Sequence, residues 1–281
     1  MPEQIKKTLY LLVIHTLLIT VALSCIFPFV WMINSSLKPN SEFIQDHGFE
    51  LPDKVNFQNY IYTFTKGNLG TYFLNSILYT FLTVIAIVII SSLAGYGISR
   101  LQFRGKNFIF YMILAAMMIP IPAAFVPLYV LLKSVGLLNT RIGYILAMVN
   151  VGLSLSIYLY KTFFDQLPKD LEESARIDGC GKLRIWWHVM FPLAKPATGV
   201  VVIFNALNVW NELILALVIL SNKGLMPLQV GLLKFSQSSV GLTQYTTLMA
   251  ALTVAALPII IIYLIMQKHI IKGMTAGATV G

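Results

Sequence analysis

The sequence predicts an all-α polytopic membrane protein with six transmembrane helices, and composition is the first reason. Of the 281 residues, 57% are apolar and only 11% are charged, whereas a soluble domain carries about 25% charged residues. The mean hydropathy is +0.78. The second reason is that apolar runs of about 20 residues, the length of a membrane-spanning helix, recur along the chain. The third is the uneven distribution of Lys and Arg between the segments that separate those runs.

Six apolar runs separated by polar loops are the predicted spans. They cover residues 9–33, 71–97, 108–132, 142–162, 196–220 and 246–267. The first run follows Lys6 and Lys7, as in a signal peptide, but its apolar stretch exceeds the roughly 7–15 residues of such a segment. We therefore expect an uncleaved helix there, within a single transmembrane domain of residues 1–281.

The basic residues predict the orientation of the chain. With the N-terminus in the cytoplasm, 13 of the 20 Lys and Arg residues lie in cytoplasmic segments, as the positive-inside rule requires. The inner loop of residues 161–195 and the C-terminal tail of residues 268–281 are then cytoplasmic, and the loops of residues 34–70 and 221–245 are extracytoplasmic. The net charge of +9 follows from this topology, so we expect membrane lipids and no nucleic acid as neighbours.

Cysteine and histidine do not form a chemical site in this sequence. Cys25 lies in an apolar run and Cys180 in a polar loop, which argues against a disulfide framework. The 4 histidines lie in separate segments, so no metal-binding or catalytic set is expected. The chain also lacks a Gly-rich phosphate loop ending in Gly-Lys-Ser/Thr. We therefore predict no catalytic residue, no metal and no cofactor bound by this chain.

The inner loop is predicted to form two short helices around a turn. The first covers Pro168–Asp178, with acidic residues at the positive end of its dipole and Gly179 as a left-handed stop. The second covers about Lys182–Met190, where Trp186 and Trp187 suit a membrane interface. On these signals alone, a helix pair lying on the inner leaflet and a partner-binding helix are equally good interpretations.

The spacing of this loop resembles the EAA loop of ATP-binding-cassette (ABC) importer permeases. That signature is Glu-Ala-Ala, three residues, Gly, nine residues, Ile, one residue and Leu-Pro. The present sequence has Glu173-Ser174-Ala175, Gly179, Val189 and Phe191-Pro192 at the same spacing. Further strings extend the resemblance to the carbohydrate-uptake permeases typified by the smaller permease subunit of the maltose transporter. They include Asn34–Lys38, Asn75-Ser76, Gly95–Gly97, Met118–Pro120, Gly136–Thr140, Trp210–Glu212 and Gly273–Gly277.

The resemblance implies the MetI-like fold of type I ABC importers and a permease subunit for a sugar or oligosaccharide in a bacterial or archaeal plasma membrane. Its implied partners are a second, different permease, two ATPases that bind ATP and Mg, and an extracytoplasmic sugar-binding protein. In this family the inner loop is a coupling helix seated in a cleft of the ATPase. The residues implied to couple to the ATPase are Glu172, Glu173, Ser174, Ala175, Asp178 and Gly179. A comparable tail reaches the ATPases, which implies contacts for Thr275, Ala276 and Gly277.

Polar residues in the fifth span mark a candidate translocation path. Asn205, Asn208 and Glu212 recur at helical spacings and predict one shared face, with Asn211 beside it. Since an acidic group at membrane depth is costly, this face should avoid lipid. Hydrogen bonds that hold the helices together are an alternative explanation, which we favour.

Two other patterns concern helix shape and packing. Pro120, Pro122 and Pro127 are expected to kink the third span. Ser91, Gly95 and Ser99 recur every fourth position in and just beyond the second span and are expected to allow close helix packing.

Two alternatives to sugar import stay open at this point. The same machinery could carry another solute, such as a glycerol phosphate ester, because the solute in this family is chosen largely by the binding protein and the partner permease. A stand-alone secondary transporter also has enough spans, but it would need an intramembrane ionisable relay, and Glu212 is the only acidic residue within the predicted spans.

Overall fold

The computed structural model describes residues 3–236 and 244–278 of the chain, and within these ranges all regular structure is helical. The α-helices are α1 (Glu3–Ser36), α2 (Asn40–Asp46), α3 (Gln58–Thr65), α4 (Leu69–Arg100), α5 (Lys106–Met117), α6 (Phe125–Ser134), α7 (Arg141–Gln166), α8 (Asp170–Ile177), α9 (Lys182–Ile185), α10 (Phe191–Leu193), α11 (Lys195–Trp210), α12 (Ile214–Ile219), α13 (Leu228–Ser236) and α14 (Tyr245–Ala278).

Among the described residues, four helices are long and apolar enough to cross a membrane: the Leu9–Ser36 part of α1, α4, α7 and the Tyr245–Leu264 part of α14. Two pairs of shorter helices pass the same test together, each with a sharp bend, and counting each pair as one span gives six. The predicted second and fourth spans correspond to α4 and α7. Both helices extend beyond the apolar run, because an α-helix continues wherever its backbone hydrogen bonds do, whether or not the side chains are apolar.

The third predicted span, residues 108–132, is broken rather than kinked. Helix α5 ends at Met117, Pro120 is extended (φ −64°, ψ 130°), and a 3-10 turn at Ile121–Ala124 leads into α6. The helical axes on the two sides of this break differ by 100°. Pro120 and Pro122 together remove two backbone donors within three residues and bias the residues before them to extended conformations, so the helix cannot continue.

The fifth predicted span, residues 196–220, also divides. Helix α11 ends at Trp210, and α12 starts four residues later. The Glu212 carboxylate accepts a hydrogen bond from the backbone N–H of Leu215 at 2.7 Å, which satisfies one of the free amides at the start of α12. Upstream, residues Lys182–Leu193 form a helical segment that meets α11 at an angle of 78°.

Backbone contacts divide the chain into two compact units, and the first consists of residues 1–69 and 231–257. Its outer loop is held at Lys38, which is fully buried. The Lys38 ammonium donates to the Asp46 carboxylate and lies 3.6 Å from Glu42. This hydrogen bond, together with one from the Gly48 N–H, lowers the pKa of the Asp46 carboxyl. The Asn59 amide donates to the Ser36 and Lys38 carbonyls at 2.7 Å each.

The second unit consists of residues 70–230 and 258–281, and its core lies between α4, α7 and α11. The Tyr160 hydroxyl of α7 donates to Thr198 of α11 at 2.9 Å, and Asn205 of α11 donates to Ser156 of α7 at 2.9 Å. Residues of the inner loop belong to the same core. The buried members of this cluster include Val84, Ile87, Tyr96, Val149, Tyr160, Phe164, Ala175, Ile185, Trp186, Met190, Ala197 and Val201.

The small residues of α4 lie where α4 contacts α7. A Cβ atom on Gly95 would stand 2.7 Å from the Tyr160 Cβ and 3.0 Å from the backbone nitrogen of Lys161. The Ser99 hydroxyl donates to the Asp165 carboxylate of α7 at 2.6 Å. The expected close packing of α4 is therefore confirmed at Gly95.

Replacement of Gly95 by Ala is expected to destabilise the protein, because neither the Tyr160 Cβ nor the α7 backbone can move aside cheaply. We expect a loss of about 1–3 kcal/mol, measured as a lower melting temperature of the purified protein in detergent. Gly97→Ala is the matched control, since its Cβ would have nothing within 4 Å. Equal melting temperatures for the two variants would contradict this packing.

Candidate functional site

The candidate site is the inner loop, whose first helix is α8. Helix α8 begins at Asp170, two residues after the predicted start, because the first carbonyl to accept a helical hydrogen bond is that of Lys169, from the Glu173 N–H at 3.2 Å. It ends in the predicted left-handed turn, with a φ of 78° at Gly179. The Cys180 N–H donates to the Ala175 carbonyl at 2.9 Å and closes the turn.

Two of the residues expected to contact a partner, Glu172 and Ala175, lie on the inner face of α8. Glu172 is only 5% exposed, and Ala175 belongs to the core of the chain. The Glu172 carboxylate lies 3.0 Å from Nε of Arg100, at the end of α4, and accepts a hydrogen bond from the Tyr96 hydroxyl at 3.4 Å. Helix α8 therefore turns these two side chains towards its own chain.

Arg100 joins three helices at this point. Its guanidinium pairs with Glu172 of α8 and donates to the carbonyls of Phe164 and Leu167 at 2.5 Å and 2.6 Å, where α7 ends. The side chains of Arg100 and Glu172 are each 6% exposed. A planar guanidinium with five donors suits such a junction, since a lysine could not supply the same fork of hydrogen bonds. Sequence reasoning missed this role, although an arginine at the inner end of a span facing an acidic helix is a usable signal.

The other predicted coupling residues lie on the opposite side of the loop and are exposed: Glu173, Ser174, Asp178 and Gly179. Two large apolar side chains stand among them, Ile177 at 86% exposure and Leu183 at 68%. We call these six residues the exposed face of the inner loop. Apolar side chains left in solvent beside charged ones are typical of a protein interaction surface. The sequence analysis did not single out Ile177 or Leu183.

The second helical segment of the loop differs from its prediction. It does not end at Met190 but continues through a π-helical stretch, Trp186–Met190, into α10. Ile185, Trp186 and Met190 are buried in the core, whereas Trp187 is 51% exposed and stacks on Phe191 with ring centroids 5.7 Å apart. The expectation that both tryptophans face a membrane interface therefore fails for Trp186, which is buried in the same core cluster as Ala175 of α8.

The four residues of the candidate translocation path do not share one face. Asn205 is buried and hydrogen-bonded to α7, and Asn208 is half-buried. Because α11 ends at Trp210, Glu212 is not on the same helix, and its carboxylate serves the start of α12. The exposed Asn211 donates back to the Leu207 carbonyl at 2.9 Å. Asn205 thus acts as an interhelical hydrogen-bonding residue.

The loop of residues 221–228, predicted to be extracytoplasmic, is held by side chains at the other end of α4. The Asn75 amide donates to the Gly224 and Met226 carbonyls at 2.9 Å and 3.1 Å. The Tyr79 hydroxyl donates to the Leu225 carbonyl at 2.6 Å. We call Asn75, Ser76 and Tyr79 the outer clamp, since Ser76 accepts from the Leu228 N–H at 2.8 Å. Every one of these bonds is made to the backbone of the loop.

The predicted tail contacts lie at the end of the last helix. The backbone of α14 is helical through Ala278, so Thr275, Ala276 and Gly277 belong to that helix. Their side chains lie outside the described residues. Within the described part of the chain, no group of three or more His, Cys, Asp or Glu side chains could hold a metal ion.

The chain is similar in sequence to known proteins. Residues 87–276 match the family described as binding-protein-dependent transport system inner membrane component. The chain is 35% identical to the diacetylchitobiose uptake system permease protein NgcG of Streptomyces coelicolor, over 94% of this chain and 87% of that protein. It is 32% identical to the trehalose/maltose transport system permease protein MalG of Thermococcus litoralis, over the whole of both chains.

A solved structure has the same fold. One chain of a bacterial ABC transporter involved in the import of the acidic polysaccharide alginate matches with a TM-score of 0.85 and 26% sequence identity. The match covers 94% of the present chain and 97% of that chain.

Proposed function

Because the chain belongs to the family of binding-protein-dependent transport system inner membrane components, we propose that it is the permease subunit of an ATP-driven importer for a sugar or oligosaccharide. The observation that carries this proposal is full-length similarity to permeases named for diacetylchitobiose, trehalose and maltose. As a permease subunit, the chain supplies the membrane path and not the ATPase. It is a multi-pass inner-membrane protein.

The exposed face of the inner loop is the proposed docking surface for the ATPase. Glu173 and Asp178 offer carboxylates for polar contacts, and Ile177 and Leu183 offer apolar side chains that can be buried in a cleft. Gly179 keeps the turn free of a side chain, with nothing within 4 Å of the position of a Cβ. ATP and Mg bind to the partner ATPases, and this chain binds neither.

The proposed assembly contains this chain, a second, homologous permease, two ATPases and an extracytoplasmic sugar-binding protein. The family description supports the binding protein. Helix α1 supports neighbours in the membrane, because none of its apolar window is buried against the described residues of this chain. Lipid and the second permease would cover it. The proposed orientation places both termini in the cytoplasm, on the side that carries 13 of the 20 basic residues.

Asn208 and Asn211 are the proposed contributors to the translocation path. Asn208 is half-buried and Asn211 is exposed, so both amides retain hydrogen-bonding capacity for sugar hydroxyls. Gln229 lies beside them, and its amide donates to the Trp210 carbonyl at 3.2 Å. Asn205 and Glu212 would support this region from behind by fixing α11 and α12.

The proposed function is tested by co-expressing the chain with its neighbouring genes and purifying the complex in mild detergent. We expect a particle of two permeases and two ATPases that takes up labelled trehalose, maltose or diacetylchitobiose when reconstituted with its binding protein. Stoichiometry is measured by native mass spectrometry and uptake in liposomes. A stable, active particle of this chain alone would contradict the proposal.

Substitution of Gly179 by Asp is expected to leave the protein in the membrane but uncouple ATP hydrolysis from uptake. The φ of 78° costs a residue with a side chain about 1–2 kcal/mol, and the added carboxylate would protrude into the docking surface. Uptake and ATP hydrolysis are measured in the same liposomes. Gly181→Asp is the matched control, since its φ is −73° and Asp is favourable at a helix N-cap. Normal uptake by the Gly179 variant would refute the docking surface.

Deletion of residues 276–281 tests the proposed tail contact. We expect weaker assembly with the ATPases, or less stimulation of their activity, because the resemblance assigns this tail to the ATPase dimer interface. The readouts are the amount of ATPase co-purified with the truncated chain and its rate of hydrolysis. Unchanged values of both would count against the contact.

A further inference from the structure

Helix α4 is a continuous element that connects the two ends of the second unit. It runs unbroken from Leu69 to Arg100, 32 residues, or about 48 Å at a rise of roughly 1.5 Å per residue. Its inner part packs closely on α7 at Gly95. A helix without a break along its length can carry a displacement from one end to the other.

The inner end of α4 is bonded to the coupling helix α8 by a buried ion pair. Arg100 and Glu172 are 3.0 Å apart, and both side chains are 6% exposed. Separating these charges costs free energy, because the site is poorly solvated. The Glu172 carboxylate would keep only its longer contacts, 3.7 Å to Arg176 of its own helix and 3.4 Å to the Tyr96 hydroxyl. Helix α8 has eight residues, too few for stability alone in water. Its position therefore depends on contacts such as this one.

The outer end of α4 is bonded to the loop that follows α12. The outer clamp makes four hydrogen bonds, of 2.6 to 3.1 Å, to the backbone of residues 224–228. The Arg141 guanidinium of α7 donates to the side-chain oxygen Oδ1 of Asn75 at 3.3 Å and so orients that side-chain amide. Since these bonds are made to main-chain atoms, the loop cannot shift relative to α4 without losing them.

We propose that Arg100 is a positioning residue that links the coupling helix to α4, and that α4 carries the displacement of α8 to the extracytoplasmic loop of residues 221–228. This inference rests on the proposed function, because the displacement is supplied by ATPase closure. The pair of Arg100 and Glu172 is the connection at one end and the outer clamp is the connection at the other. Neither Arg100 nor Glu172 belongs to the exposed face that docks the ATPase.

The test measures the outer loop directly and needs no knowledge of the sugar. The reconstituted complex carries Lys223→Cys as a reporter, in a background with Cys25→Ser and Cys180→Ser. The reporter is treated with a methanethiosulfonate reagent, with and without Mg-ATP and vanadate. The four test variants are Glu172→Gln, Arg100→Gln, the double variant and Arg100→Lys. Asp170→Asn is the matched control, an exposed carboxylate on the same helix.

We expect the wild-type complex to change its modification rate at residue 223 when vanadate traps the nucleotide. In Glu172→Gln and Arg100→Gln this nucleotide-dependent change should shrink by at least about threefold, while ATP hydrolysis stays close to the wild-type rate. The double variant should lose no more than either single variant, since both remove the same pair. Arg100→Lys should restore part of the response, and Asp170→Asn should keep all of it.

Four results would overturn the inference. A full response in Glu172→Gln and Arg100→Gln would show that the pair transmits nothing. Parallel loss of hydrolysis and response would show that the pair serves assembly only. Additive losses in the double variant would show that the two residues act independently and not as one pair. A wild-type complex that hydrolyses ATP but shows no nucleotide-dependent change at residue 223 would show that no displacement reaches the loop, whereas a chain that assembles with no ATPase would refute the proposed function itself.

Discussion

The structure depends on one constraint, that backbone polar groups freed at helix ends in an apolar protein must be satisfied by the protein itself. Helix α4 meets this constraint at both of its ends. Its last residue donates to the carbonyls of Phe164 and Leu167 where α7 ends, and Asn75 and Tyr79 donate to carbonyls in and just after a 3-10 turn at Lys223–Leu225. These hydrogen bonds fix the positions of the inner helices and of the outer loop.

Sequence reasoning located the helices well wherever apolar residues run without interruption. The predicted second and fourth spans lie within α4 and α7. It failed at the third and fifth spans, where hydropathy stays high across a break in the backbone. The break after Met117 follows from two closely spaced prolines, and a stronger weight on them would have found it. The break after Trp210 involves the side chain of Glu212, which a hydropathy window counts as polar and cannot recognise as a helix cap.

The inner loop shows the same division between local and tertiary information. The left-handed turn at Gly179 was predictable, because the conformation is decided within a few residues. The directions in which Glu172 and Glu173 point were not predictable, because nothing in an isolated helix indicates which of two adjacent acidic residues faces the rest of the protein. Arg100, which belongs to another helix, makes the difference, because its guanidinium pairs with Glu172. The family resemblance supplied the spacing of the motif, but only the fold reveals which acid points inwards.

The outer clamp bonds to main-chain atoms of the loop, so these hydrogen bonds do not depend on which side chains the loop carries. Asn139 follows the same rule, since its side-chain oxygen accepts from the N–H groups of Ser221 and Asn222. None of these bonds constrains the side chains of the loop. The exposed side chains of Ser221 and Lys223 are therefore free to change while the path of the chain stays in place, whereas Met226 is buried and Asn222 accepts from the Gly224 N–H. Evolution can therefore rewrite these exposed positions without rebuilding the helices that hold the loop.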